Sequence, residues 1–439
     1  MTARLAIAGG TPVRTKPVPP HKTTGTEERE AVLRVLDSGY LSLFEGNWTP
    51  DAPFSFRGGP EVQALEAEWS ARYGVAHAVA VNSATSGLYA AMGATGVGPG
   101  DEVIVSPYTM SASAACAMVY NAIPVFADVR PDTYALDVDS VRARLSPRTK
   151  AIVVVHLLGH PADMDPLMAL ARERKLMVIE DCAQAHGATY KGRTVGTIGH
   201  FGVFSLNVNK TIQCGEGGVV TTADADLALR VQLIRNHAEV VVGQLNRANI
   251  VNMLGYNYRM TEIEAAIARV QLTRLDALNA HRLALAAYLT DRLRGCDALE
   301  PPHVAPGCTH AYYLYAMTYR EDRTGVPRAT FLQALKAEGV EFAGGYVQPL
   351  YLQPVYQTRQ LYGEVGCPFS CPFYDGEVSY APGLCPTAER LHARDLVTTE
   401  MVRAPLTRED MDDIVKAIEK VTANLDELRA LAPGAPGKP

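Results

Sequence analysis

The stretch AIVVVHLLGHPADMDPLMALARERKLMVIED, residues 151–181, reads as strand, helix and strand. It opens on the uncharged run AIVVVHL, passes through a helix-length segment from Met164 to Arg174 with Asp163 at the N-cap position, and closes on LMVIED ending at Asp181. Continuous apolar strands alternating with helices indicate a parallel sheet covered on both faces. The same alternation extends towards the N-terminus through HAVAV (77–81), EVIVS (102–106) and IPVFADV (123–129), with a helix expected from Ser83 to Ala94. Val103 to Ala127 carries no formal charge and is long enough to span a bilayer, but Pro107, Pro124, Asn121 and several Ser interrupt it. It therefore reads as strand, helix and strand of a buried α/β core.

From Asn257 onward the alternation ends in a long helical pattern, TEIEAAIARVQLTRLDALNAHRLALAAYL, which sets a domain boundary. The chain's 439 residues and 47.4 kDa exceed what one hydrophobic core usually holds. The expected division is an N-terminal arm (1–25), a large α/β domain with a mostly parallel sheet (26–262), a smaller α+β domain (263–430) and a disordered tail (431–439) ending in APGAPGKP. In the smaller domain, Tyr312 to Tyr319 is strand-like, and Arg328 to Glu338 and Arg408 to Ala430 are helical. Gly345 to Pro386 is rich in Pro and Tyr without periodicity, which fits a lid, a partner-contacting segment or an irregular surface insertion.

Apolar residues make up 47% of the chain and charged residues 20%, so a folded, enzyme-sized body is expected. With 41 Lys and Arg against 47 Asp and Glu, the net charge of −6 offers no positive field for nucleic acid or an anionic membrane. Eight Cys are too sparse for a disulfide scaffold, and Cys367-x3-Cys371 lacks the spacing of a zinc knuckle or redox pair. They read as free thiols of a cytoplasmic protein, with no metal expected, and the short apolar part of MTARLAIAGG does not support export.

Ligands of a parallel α/β sheet sit at the carboxyl ends of its strands. After the first strand, Asn82-Ser83-Ala84-Thr85-Ser86-Gly87 places small residues at a helix start, as a phosphate cradle or simply as a cap. After LMVIE, Asp181-Cys182-Ala183-Gln184 sets a carboxylate at the sheet edge and an amide three residues on. Such a pair can hold a proton on a pyridine nitrogen and reach the ring from its side, although an N-cap role for Asp181 fits equally. In FSLNVNKTIQCGEGGVVTT (204–222), Lys210 precedes a Gly-rich turn, either as a surface residue or as a buried amine able to form a Schiff base. His156, His160 and His186 read as satisfied core histidines, and Arg259 as a helix-start ion pair or a contact to a substrate carboxylate.

Taken together, IEDCAQAHGATYKG, FSLNVNK, GEGG and GYNYRMTEIEAAIARVQL resemble the DegT-type aminotransferases of keto sugars, a fold type I family dependent on pyridoxal phosphate. The resemblance runs from LAIAGGTPVR to the last helix. It implies that Lys210 is the Schiff-base lysine, Asp181 the partner of the ring nitrogen and Gln184 the neighbour of the ring hydroxyl. It further implies that Ala84, Thr85 and Ser205 bind the phosphate, with Asn257 reaching it from the second subunit of a homodimer. Pyridoxamine phosphate would carry the amino group between half-reactions. Three departures stand out: Met110 occupies the usual aromatic stacking position, leaving Met110 or Tyr108 to cover the ring; Tyr351 in Pro349-Leu350-Tyr351 stands where many relatives have His; and His200 replaces a frequent Asp.

The expected activity is transfer of an amino group from glutamate or glutamine to a keto sugar, first of all a nucleotide-linked one. HLLGHPADMD (156–165) also looks like the glutamine-dependent ketocyclitol enzymes of the inosose type. A sugar dehydratase using pyridoxamine phosphate is disfavoured by Lys210, and a non-catalytic regulator is the remaining rival.

Overall fold

The computed structural model describes residues 3–49, 53–364 and 366–431. Seven strands form the main sheet: β1 (His77–Val81), β2 (Glu102–Val105), β3 (Ile123–Phe126), β4 (Thr149–Val155), β5 (Met177–Asp181), β6 (Phe201–Ser205) and β7 (Gly218–Thr222). Their order is β1-β7-β6-β5-β4-β2-β3. From β6 to β3 all neighbours run parallel. Strand β7, however, runs antiparallel to both β6 and β1. The sheet is thus mostly parallel, and HAVAV joins it through an antiparallel partner because the GEGG turn sends β7 back alongside β6.

Helices α1 (Thr26–Ser38), α2 (Pro60–Tyr73), α3 (Ala84–Thr95), α4 (Met164–Arg174), α5 (Ala225–Arg235) and α6 (Glu262–Arg292) surround this sheet or extend from it. The uncharged Val103–Ala127 run resolves into β2, a short helix at Ala112–Met118 and β3, and no described helix is long and apolar enough to cross a membrane. Helix α6 opens on a capping box, with Thr261 Oγ1 accepting from Glu264 N at 3.3 Å and Glu264 Oε2 accepting from Thr261 N at 2.9 Å. It packs on α1 and α2 and, further along, on α8 (Arg408–Thr422); α7 (Arg328–Ala337) also packs on α8.

A second, antiparallel sheet follows, β8 (Leu299–Glu300), β9 (Tyr315–Tyr319), β10 (Ala343–Gly344) and β11 (Leu396–Thr399), in the order β8-β9-β11-β10. Its apolar cluster gathers Tyr315, Phe331, Val397 and Ile418, and Leu5 joins it from the N-terminal arm.

Several expectations shift in detail. Asp163 does not cap α4; its Oδ1 accepts from the Tyr190 hydroxyl at 2.6 Å instead. The strand-like run begins at Tyr315 rather than Tyr312, because Tyr312 takes a left-handed φ of 47° that an extended strand excludes. The last helical pattern breaks after Thr422 and resumes at Leu425–Leu431, so Leu431 belongs to a helix. The rest of the expected tail, 432–439, lies outside the described residues, as do 50–52 of the Leu41–Arg57 loop. Within Gly345–Pro386, Tyr351, Tyr356, Phe369 and Tyr380 are buried, and three of them ring Phe126 with centroids 5.2–5.8 Å away. This anchors the segment to the large sheet, with Tyr380 donating to Pro124 O at 2.8 Å.

Candidate active site

Strand register brings the phosphate-loop candidates together. Gly218, the first residue of β7, pairs with Val81 at the end of β1 and with Ser205 at the end of β6. Ala84 and Ser205 therefore converge around one glycine. A Cβ on Gly218 would lie 2.7 Å from Ala84 N, so only glycine lets the strand pass beneath the start of α3. Gly87 serves the same purpose one turn on, where a Cβ would meet Val203 Cγ1 at 2.9 Å. Ser83 Oγ caps α3 by accepting from Ser86 N at 3.0 Å. The N–H groups of Ala84 and Thr85 find no acceptor among the described residues, which leaves two donors at a helix N-terminus.

Asp181 ends β5 on the adjacent edge. Its Oδ2 accepts from Ser113 Oγ at 2.7 Å and its Oδ1 from Ala183 N at 3.1 Å. No helix follows, so the N-cap alternative for Asp181 does not apply. Gln184 lies in the same turn: its Oε1 accepts from Leu158 N at 2.7 Å, and its Nε2 donates to the Tyr346 hydroxyl at 2.7 Å. The buried Asp181 and Gln184 are thereby held rigidly.

Lys210 Nζ lies 4.7 Å from the centroid of the Tyr313 ring. Burial pulls its pKa below the ordinary lysine value, and the Asp181 carboxylate opposes that pull. The surface reading of Lys210 is thus set aside. His186 packs near Phe204 at 5.6 Å, and burial, reinforced by the charge of Lys210, pushes its pKa to about 3 while the Ser205 carbonyl opposes.

His156 and His160 are satisfied in the core. His156 Nδ1 accepts from Ala162 N at 3.0 Å, so Nε2 carries the proton that it donates to Glu180 Oε2 at 2.9 Å. Glu180 also accepts from the N–H groups of Gly196, Ile198 and Gly199, so its oxygens are engaged although Cys182 stands close enough to make a ligand triad. His160 bridges Pro161 O and Ala305 N. His200 Nδ1 accepts from Val178 N at 2.9 Å, which gives it a structural place. Tyr351 is fully buried, bonded to Glu389 and accepting from Cys385 N at 3.2 Å.

Of the two stacking candidates, Tyr108 is enclosed and its hydroxyl accepts from Tyr346 N at 2.8 Å, whereas Met110 is 54% exposed. Asn257 is exposed beside the start of α3: its carbonyl accepts from Asn82 Nδ2 at 3.3 Å, and its Oδ1 accepts from Arg259 Nε at 2.8 Å. Arg259 makes no ion pair at the start of α6 among the described residues. Sequence reading missed Ser113, Tyr313 and Tyr346, which reach the site from distant segments and carry no local motif.

Residues 54–380 match the model of the DegT/DnrJ/EryC1/StrS aminotransferase family. The chain belongs to this family. An L-glutamine:2-deoxy-scyllo-inosose aminotransferase of Streptomyces lividus is 41% identical over 82% of this chain and 83% of its own length. An L-glutamine:scyllo-inosose aminotransferase of Streptomyces griseus is 35% identical over 98% of this chain and 100% of its own. Among solved structures, an aminotransferase from Psychrobacter cryohalolentis superposes with a TM-score of 0.78 at 32% identity, covering 93% of this chain and 100% of that one. DesV of S. venezuelae gives 0.75 at 33%, covering 90% and 94%.

The protein is thus a fold type I aminotransferase dependent on pyridoxal phosphate. The residues present fit that group: a fixed carboxylate, a half-buried amine of lowered pKa, and a glycine-floored helix start with free N–H donors. When bound, the cofactor supplies an electron sink for the carbanion formed at the amino acid Cα.

Proposed function

We propose that this aminotransferase moves an amino group from glutamine to a ketocyclitol of the inosose type. The single observation that carries the choice of acceptor is the charge of the cavity beside the candidate site. About 560 Å³ in volume, it is bounded by Tyr313 and Tyr346 and bears Lys336 and Arg403 against Glu341 and Glu400. Two cations and two carboxylates give no net charge, and Arg403 is already paired with Glu400 at 2.5 Å. A nucleotide-linked sugar brings a diphosphate that needs positive charge, whereas a neutral polyhydroxylated ring does not. The glutamine-dependent inosose enzymes among the relatives support this reading. The keto-sugar reading shares the same family and fold, and a spore coat polysaccharide biosynthesis protein of Bacillus subtilis, 33% identical, keeps it in view.

In this assignment Lys210 would hold the cofactor covalently and, when its amine is free, would carry the proton taken from the donor Cα. Asp181, fixed by Ser113, would hold a proton on the ring nitrogen, and Gln184 would serve the ring hydroxyl. Ala84, Thr85 and Ser205 bind the phosphate. Met110, exposed where Tyr108 is enclosed, would be the one to cover the ring face. A cytoplasmic homodimer completes each site with Asn257 of the second copy. The test is to incubate the purified protein with glutamine and either 2-deoxy-scyllo-inosose, scyllo-inosose or a nucleotide-linked keto hexose, and to identify amino products by mass spectrometry. An aminated cyclitol is expected; amination of the nucleotide-linked sugar alone would overturn the acceptor assignment.

A further inference from the structure

Lys210 must be a free amine during part of the cycle, and its surroundings in that state offer little to hold it. Among the described residues no carboxylate lies within ion-pair distance of Nζ, which instead lies 4.7 Å from the centroid of the Tyr313 ring. A cation at this distance from an aromatic face is attracted by the ring quadrupole, most strongly where water is excluded.

The chain is built to place that ring. Ala311 N donates to Gly159 O at 2.8 Å, and Arg282, itself buried, donates to Tyr312 O at 2.9 Å. Tyr312 adopts its left-handed φ of 47° at this bend. Gly159, at φ 102°, is the hinge of the contact: a Cβ there would lie 2.9 Å from Tyr312 N and 3.0 Å from Tyr313 N. The loop after β4 and the approach to β9 can touch only because that residue is glycine. Tyr313 also walls the 560 Å³ cavity together with Tyr346, so this residue borders both Lys210 and the space in which substrate is proposed to bind.

The geometry points to Tyr313 as a positioning residue that receives the displaced Lys210 ammonium on its ring face and holds it in reach of the reacting carbon. This rests on the assignment of Lys210 as the Schiff-base lysine. The other groups facing Lys210 are Asp181 at the end of β5, which favours the charged amine, and His186 in the following turn, kept neutral by burial. Tyr346 stands behind Gln184. None of them offers an aromatic face to Nζ among the described residues.

The experiment measures Lys210 directly in the full-length chain stripped of cofactor. Competitive acetylation across pH, read by mass spectrometry on the Lys210 peptide, gives the midpoint at which the amine loses its proton. Tyr313→Phe keeps the ring and should leave that midpoint within a few tenths of a pH unit of wild type. Tyr313→Leu removes it, and the midpoint should fall by about half to one pH unit, so that labelling below the midpoint runs roughly three- to tenfold faster. Tyr313→Met provides the same reading should the leucine variant not fold, as judged by circular dichroism. An unchanged midpoint in the non-aromatic variants would overturn the proposal, and so would an equal shift in Tyr313→Phe, which would point to the hydroxyl. Failure of the Lys210 assignment shows separately, as retention of bound cofactor absorbance and turnover in Lys210→Ala.

Discussion

Asp181 shows how much of a side chain's character lies in its neighbours. Its two oxygens are fixed by Ser113 and by the Ala183 N–H, so the carboxylate faces one way before any ligand arrives. Asp181→Asn removes the negative charge proposed to hold a proton on the ring nitrogen, and the donor half-reaction should slow on the order of 10²-fold or more, as stopped-flow absorbance would record. Ser113→Ala leaves the charge and removes one of its hydrogen bonds, a loss of about 1 kcal/mol that should slow the same half-reaction only about fivefold. Equal losses in the two variants would mean that orientation, not charge, is what Asp181 contributes. Lys210→Ala should abolish both the absorbance of the lysine-linked cofactor and turnover, since the proposed assignment makes the covalent link and the proton carrier the same amine.

At the scale of elements, the crossing of β7 beneath α3 shapes the proposed phosphate cradle. Gly218→Ala drives a Cβ into Ala84 N and Ser83 C, both at 2.7 Å, and neither backbone can move without displacing the helix start. Cofactor affinity should fall at least tenfold and stability by roughly 2 kcal/mol, measured by fluorescence titration and urea unfolding. Gly215, three residues earlier, has open space around its Cβ position but a φ of +92°. Gly215→Ala should therefore cost about 1 kcal/mol of stability while leaving cofactor affinity within about twofold. The contrast separates a glycine needed for close approach from one needed for its backbone angle.

For the whole molecule, acid is the expected weakness. Burial lowers the pKa of His186 to about 3 and that of His160 to about 4, each from 6.5. A folded-state pKa below the unfolded one means that the unfolded chain binds more protons, so stability is full above pH 6.5 and is lost as pH falls towards the folded values. By pH 5 each histidine should cost about 2 kcal/mol. Urea midpoints at pH 7 and pH 5 will show this, and His186→Phe should remove part of the difference. The proposed dimer has its own test. Lys210→Ala and Asn257→Ala proteins, mixed and allowed to exchange subunits, should regain about a quarter of the wild-type sites, because the intact residues meet only across the interface. Activity at limiting cofactor that stays at the parental average after confirmed exchange would place Asn257 in its own subunit's site or outside cofactor binding.

Local chemistry was legible without coordinates. The apolar runs fixed five strands of the main sheet, and the ends of those runs offered Asp181, Gln184 and the helix start at Ala84 as candidates, because strand period and cap residues act over a few neighbours. Lys210 and GEGG were legible as a motif, but the burial that lowers the lysine's pKa was not, since it comes from segments far along the chain. Three features belong to tertiary structure alone: the antiparallel return of β7, the fixing of Asp181 by Ser113, and the arrival of Tyr313 and Tyr346 beside Lys210 and Gln184. Tyr313 lies more than a hundred residues from Lys210, and what joins them is a backbone contact at Gly159 that no local pattern encodes.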